Sequence, residues 1–253
     1  MARAGIDSTI RPVEMLTEGQ VEQVHKATLE VMNETGVTME NARALDFLAE
    51  KGCKVDREAM RVRFPAKLVE DCLSMVPKSY EAKAPVAEND LTYGGNRLYF
   101  THTSGMQSID IDRFEQKVPS RQEYIDAVRV LEALPTIDQL GCYPYFGYDG
   151  VSSKMAIPEG VLLHMKYCSK HQAAACSNDC EIFTIQMAQA LGQEFSATIG
   201  SSPPLTWGEK AIDAAYRIAE SGFPLSTVDG AMMGGTGPAT PVGSVVVSNA
   251  EHL

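Results

Sequence analysis

Two stretches of this sequence carry residue types that can act on a small charged molecule. The first is Cys142-Tyr-Pro-Tyr-Phe-Gly-Tyr-Asp149, which puts Tyr143, Tyr145, Phe146 and Tyr148 in one short loop. Aromatic faces gathered around a cavity attract a quaternary or protonated ammonium group through the ring quadrupole, and the attraction strengthens as water is excluded. Tyr99 and His102, at the end of another short apolar run, extend the set. Asp229, closing the run Leu225 to Val228, would supply the carboxylate of such a cage in preference to Asp149, because that run reads as a buried strand. The competing explanations are plain ones: a ring in such a loop serves equally well as packing or as a lid, and His102 as a hydrogen-bonded structural imidazole.

The second stretch is the loop holding Gly230, Gly234, Gly235 and Gly237, between that strand and a helix expected to start with Thr240 as N-cap and Pro241 in its first position. Glycine lets backbone approach a ligand closely, so a phosphate cradle is the first idea to test. It fits poorly. The Lys-Ser/Thr pair of a P-loop is missing, Gly-Gly-Thr-Gly-Pro breaks the GxGxxG spacing, and Pro238 removes a donor. An ordinary strand-to-helix connection explains the loop on its own terms.

Other chemistries find little support. The sequence holds no Ser-His-Asp order and no paired-carboxylate motif, so no residue is assigned as a catalytic acid, base or nucleophile. The six cysteines, Cys53, Cys72, Cys142, Cys168, Cys176 and Cys180, form no CxxC pair and read as buried thiols. Cys176 and Cys180 with His164 and His171 make a zinc set only on paper, and no metal ligand is assigned.

The elements that must position these residues follow from periodicity and punctuation. Residues 1–92 read as a helical N-terminal segment. A helix carrying Val21, Val24, Leu29, Val31 and Met32 stops at Gly36, a second runs from Asn41 to the Gly52 stop, and a third opens at Pro65 after a short extended piece, Arg61 to Phe64. From Tyr93 short apolar runs alternate with helical stretches, the sign of βα units and a parallel sheet. Strands are predicted at Leu98 to Thr101, Ile137 to Cys142, Gln172 to Cys176, Ala197 to Gly200 and Leu225 to Val228. Helices are predicted at Arg121 to Leu134, Glu159 to Tyr167, Glu181 to Leu191, Glu209 to Ser221 and Pro241 to Leu253.

Composition bounds the rest. With 44% hydrophobic residues in 253, the chain can bury a large core. A net charge of −11 gives no basic patch for nucleic acid or an anionic membrane and favours cationic ligands. No apolar run approaches the ~20 residues that span a bilayer and the N-terminus lacks a signal-like apolar region, so a cytoplasmic location is expected.

The stretch Met232-Met-Gly-Gly-Thr-Gly-Pro-Ala-Thr240, continuing to Asn249-Ala-Glu251, resembles the trimethylamine methyltransferase (MttB-like) family of corrinoid-dependent methyltransferases. The N-terminal segment agrees, in His25 to Gly36 with its Glu-Thr-Gly-Val ending, in Ala44 to Gly52, and in Val62-Arg-Phe-Pro65 with Leu68-Val69. The resemblance implies an α/β fold, a TIM (β/α)8 barrel of which about five βα units stand in residues 93–253 as a truncated N-terminal part. The alternative is a self-sufficient open α/β sheet. The implied activity moves a methyl group from trimethylamine or a quaternary amine such as glycine betaine to the Co(I) of a cognate corrinoid protein, with no cofactor bound by the chain itself. Tyr99, His102, Tyr143, Tyr145, Phe146 and Asp229 would face the amine, and Gly234, Gly235, Thr236 and Gly237 the substrate or the corrinoid. A pyrrolysine, where a family member has one, would lie beyond Leu253, and association into a homo-oligomer is left open. The alternative function is that of a catalytically incomplete half-barrel, a binding or scaffold remnant.

Overall fold

In the computed structural model the described residues are 5–9, 13–103, 105, 107–141, 144–176 and 178–253. The N-terminal third alternates helices with short strands: β1 Ile6–Asp7, α1 Glu18–Glu34, β2 Val37–Met39, α2 Ala42–Glu50, β3 Lys54–Asp56, β4 Arg61–Arg63, α3 Ala66–Met75, β5 Tyr80–Ala82, β6 Leu91–Tyr93 and β7 Arg97–Leu98. A hairpin, β8 Ser108–Asp110 and β9 Glu115–Lys117, precedes α4 Arg121–Ala133. Strands and helices then alternate: β10 Gln139–Leu140, α5 Ala156–Tyr167, β11 His171–Ala175, α6 Glu181–Leu191, β12 Ser196–Gly200, β13 Thr206–Trp207, α7 Glu209–Glu220, β14 Leu225–Val228 and α8 Pro241–His252.

The local chemistry that starts and stops these elements is visible. Thr17 caps α1 and Ser120 caps α4, each in a reciprocal box with Gln20 and Glu123 respectively. Thr240 accepts the Gly243 N–H at the start of α8, with Pro241 in the first turn. α6 ends at Gly192, whose left-handed conformation (φ 64°) closes the helix without Cβ strain.

β10, β11, β12 and β14 lie side by side in sequence order. β10 pairs in parallel with β11 (Gln139 opposite His171), and β11 with β12 (Ala173 opposite Ser196). The N–H groups of Ala197 and Ser201 reach the carbonyls of Pro224 and Val228, so β14 joins with its register rising alongside β12. Thr101 adds one parallel bridge to Gln139. The strand predicted at Leu98 to Thr101 thus shrinks to a bridge, because β7 pairs antiparallel with β1 and the Asp138 carboxylate takes the Phe100 N–H at 2.8 Å. The fold class is α/β, with helices following the parallel strands.

By contacts the chain forms two compact units. One comprises 1–9, 78–198 and 217–226. Its core gathers Tyr124, Ile125 and Val128 of α4, Leu140, Val161, Leu163, Ala174, Ile185, Phe195, Ala197 and Ile218. Full burial of aliphatic side chains of this kind is worth ~1.5–3 kcal/mol each against exposure. The other unit comprises 10–77, 199–216 and 227–253. It holds a second sheet in the order β13-β2-β4-β3, with Leu45, Cys53 and Val62 buried behind it and α1 packed along α8. Asn249 on α8 donates to the Thr28 hydroxyl on α1 at 3.1 Å.

Candidate functional site

The parallel strands define two ends, and the sequence-predicted residues of the first unit divide between them. At the N-terminal end, Tyr93 donates its hydroxyl to the Gln139 side chain at the start of β10. His171, first residue of β11, is fully buried and bonds the Lys83 carbonyl (2.7 Å) and the Ser196 hydroxyl (2.8 Å) at the start of β12. Burial lowers its pKa. Tyr99 belongs to this end. Its ring meets Tyr93 edge-on at 6.0 Å and its hydroxyl accepts the Thr92 N–H. Expected with the strand-end aromatics, Tyr99 is instead part of the packing that closes the opposite end, because Asp138 grips the backbone of Phe100 two residues before the Thr101 loop begins.

At the C-terminal end the loops after Thr101 and after β10 are joined. The Gly105 N–H donates to the Pro144 carbonyl and the Phe146 N–H to the Gly105 carbonyl, both at 3.0 Å, and Gly105 bridges Tyr145. No side chain fits at Gly105, where a Cβ would stand 2.9 Å from the Pro144 oxygen. This zipper brings the His102 loop and the aromatic loop together. Tyr145 is half-buried and lies edge-on to the buried Tyr124 at 6.1 Å. Tyr124 in turn touches Tyr148 at 5.8 Å and His164 at 6.1 Å. Tyr148 is buried and donates its hydroxyl to Glu159 at 2.7 Å, which makes it the loop's anchor. His164 is buried on α5, and desolvation, reinforced by the nearby His102, lowers its pKa to about 3. The imidazole is therefore neutral at pH 7. His102 itself is half-buried with Nδ1 at 3.2 Å from the Thr103 carbonyl. Phe146 is the exposed ring of the set, and Tyr143 lies outside the described residues.

Sequence reasoning missed Tyr124 and His164, the buried floor beneath Tyr145. Their helical positions gave only a core signal. It also missed the turn after β11, where Asn178 (φ 52°) and Asp179 (φ 65°) both take the left-handed conformation that non-glycine residues avoid. Arg217 ties this turn down, donating to Asp179 at 2.7 Å and to the buried Glu181. The paper zinc set falls apart: His171 starts β11 whereas Cys176 follows its end, and Cys180 faces the Lys154 carbonyl at 3.6 Å. Burial pushes the Cys176 and Cys168 thiols up to about 12, so both are protonated and unreactive. Among the described residues no group of three or more His, Cys, Asp or Glu is placed to hold a metal.

In the second unit, Asp229 ends a strand that is exposed along its length, not buried as its β-branched residues suggest. Its carboxylate pairs with His252 Nε2 at 2.7 Å while His252 Nδ1 meets the Thr227 hydroxyl at 2.9 Å. The glycine loop is closed on itself. The N–H groups of Gly235 and Gly237 both reach the Met232 carbonyl at 2.9 Å, that of Gly234 the Gly237 carbonyl at 3.0 Å, and that of Met232 the Thr236 hydroxyl at 2.9 Å. Donors already spent inward cannot cradle a phosphate. Nearby, Glu251 is buried on α8 and accepts from the Ser201 hydroxyl (2.5 Å) and the Leu205 N–H (2.7 Å), fixing the loop after β12.

The model of the trimethylamine methyltransferase (MTTB) family matches residues 2–253. The chain belongs to that family. Among curated relatives, it is 26% identical over 241 residues to trimethylamine methyltransferase MttB of Desulfitobacterium hafniense, covering 91% of this chain and 48% of the relative. It is 27% identical over 256 residues to glycine betaine methyltransferase of the same species, covering 94% and 51%. Trimethylamine methyltransferase MttB2 of Methanosarcina mazei follows at 23% over 260 residues. The chain thus spans about half the length of the curated MTTB relatives it matches. Among its described residues no helix is long and apolar enough to cross a membrane.

Proposed function

We propose that this chain is part of a corrinoid-dependent methyltransferase that takes a methyl group from a methylated amine. Membership of the MTTB family across residues 2–253 carries the proposal, because the relatives of known name act on trimethylamine or glycine betaine. In this reading residues 1–92 are a helical lead-in. Residues 93–253 are the first part of a (β/α)8 barrel, an arrangement that the parallel order of β10, β11, β12 and β14 supports.

The chemistry asked of the chain is modest. The corrinoid, carried by a cognate protein, supplies a Co(I) nucleophile. The C–N bond breaks as the C–Co bond forms, and the amine leaves with the bonding pair. A protein serving this displacement has to hold the ammonium, aim one methyl and keep water out. Tyr145, Phe146 and Tyr143 offer aromatic faces for the first task. His102 stands on the loop zipped to Tyr145, and the neutral His164 behind it avoids placing a like charge near a cationic amine.

The test is a methyl-transfer assay with purified Co(I) corrinoid protein and a panel of trimethylamine, glycine betaine, carnitine and proline betaine. It is run on the 253-residue chain and on a version extended to a full barrel. Transfer from one of these amines is the expected result. Failure of both versions on every amine overturns the proposal, and turnover by the extended version alone assigns the given chain a binding or scaffold role.

A further inference from the structure

The β8–β9 hairpin has its apolar side outward. Ile109 and Gln116 are cross-strand partners, Ile111 and Phe114 close the turn beyond them, and Val118 follows two residues after Gln116. These apolar side chains are exposed by 59% (Ile109), 77% (Ile111), 85% (Phe114) and 61% (Val118). The other side carries Ser108, buried, with Lys117 opposite it and the Asp110–Glu115 pair beyond. Lys117 ties that side to the start of α4 through Glu123 at 2.7 Å. The turn is built, not slack. Asp110 Oδ1 accepts the N–H groups of Asp112 and Arg113, both at 3.1 Å, and Phe114 sits at φ 56°. A lone two-stranded hairpin is marginal in water, and one with an uncovered apolar face gains nothing from that face within the unit.

We propose that this face is the docking surface for the methyl-accepting corrinoid protein, an inference that rests on the function proposed above. Two observations select this occupant. The hairpin grows directly out of the loop whose Gly105 is zipped to Tyr145, so a protein seated on it stands beside the strand-end aromatics. Its exposed apolar area is roughly 600 Å², above the few hundred typical of an idle surface and below the ~800 Å² per partner of a stable complex. An interface of that size suits a carrier that must arrive, react and leave, and is too small to hold two copies of this chain together. Phe114 is the anchor: a large ring held out by a backbone conformation that costs the fold energy.

Phe114→Gly separates docking from folding. Glycine takes φ 56° freely, so the variant keeps or raises the melting temperature while losing the ring. The measurement is calorimetric titration of the 253-residue chain with purified corrinoid protein in its cob(II)alamin form, for wild type, Phe114→Gly and Ile111→Ser. The expected outcome is a Kd weakened about tenfold or more by each substitution, with wild type and variants all monomeric by light scattering. An unchanged Kd in a folded Phe114→Gly, no binding by wild type, or a wild-type dimer dissolved by Phe114→Gly each overturns the proposal. Methyl transfer to free cob(I)alamin, which needs no docking, tests the underlying function separately: turnover there without Phe114-dependent binding sinks the docking surface and spares the enzyme.

Discussion

The aromatic loop after β10 and the glycine loop after β14 look alike as sequence, each a cluster of unusual residues past a strand end, but they are held in different ways. The aromatic loop is fastened through side chains: Tyr148 is buried against Tyr124 and bonded to Glu159, and Tyr145 leans on the same ring. The glycine loop is fastened through its own backbone, with Met232, Gly234, Gly235 and Gly237 exchanging hydrogen bonds and Met232 and Met233 exposed. A loop anchored by side chains in a core can present one ring at a defined place. A loop whose donors are all satisfied inside offers shape and apolar surface but no polar grip. The distinction favours Tyr145 over the glycines as a ligand contact.

The sharpest way to break the contrast is Tyr124→Ala. Tyr124 is fully buried and touches Tyr145, Tyr148 and His164, so its loss leaves a cavity under the whole aromatic loop. Destabilisation of ~3–5 kcal/mol is expected, read from the midpoint of denaturant unfolding. If the loss is below about 1 kcal/mol, the loop is not anchored as described.

Acid tests the same floor. His164 has a folded pKa of about 3 against an ordinary value of 6.5, so the unfolded chain binds the extra proton between those values. Stability from this group is complete above pH 6.5 and drains as pH falls towards 3. His171, also lowered by burial, acts in the same direction. Thermal unfolding followed from pH 7 to pH 4 should show a falling midpoint. His164→Gln should flatten the slope even though it lowers the midpoint at pH 7. A slope identical to wild type would place the acid sensitivity elsewhere.

How much of this was legible beforehand depended on the range of the interactions involved. α4, α6 and α8 could be read almost to their ends, because Ser120 with Glu123, Gly192, and Thr240 with Pro241 are local signals that fix helix ends within a turn. The parallel strands could be placed but not their burial. Leu-Ser-Thr-Val reads as core, yet β14 is exposed, since burial depends on what packs against a strand and not on its own residues. The pairing of Asp229 with His252, the grip of Asp138 on Phe100 and the spending of the glycine-loop donors inward are all tertiary or conformational facts with no local signature. The β8–β9 hairpin escaped because its turn has no glycine. Asp110 capping two N–H groups, with Ile109 and Ile111 alternating before it, was the available hint.

On the glycine-loop side the expected effects are smaller and purely local. Gly234 sits at φ 78° with open space where a Cβ would go, so Gly234→Ala costs backbone strain alone, about 1 kcal/mol. Thr236→Val removes the acceptor of the Met232 N–H, which water can replace because Met232 is exposed, and should cost about 0.5–1 kcal/mol. Neither change should alter amine affinity, if the loop's role is structural. A tenfold loss of affinity from either, measured by titration calorimetry, would restore the glycine loop as a ligand contact.

The smallest effect on stability carries the most about function. Phe146 is 44% exposed, and its backbone N–H, not its ring, takes part in the zipper with Gly105. Phe146→Ala leaves that hydrogen bond in place and removes a ring that is largely in water, so the unfolding midpoint should move by less than about 0.5 kcal/mol. An exposed phenyl group held at a fixed point beside Tyr145 has little reason to be there for the fold. If it forms one wall of an ammonium site, its truncation weakens binding of a tetramethylammonium probe by about threefold to tenfold, the cation–π contribution of a partly desolvated ring. Phe146→Leu separates the two contributions: it restores the apolar volume without the quadrupole, so recovery of affinity by leucine would mean simple packing, and failure to recover would mean that the ring face itself holds the cation.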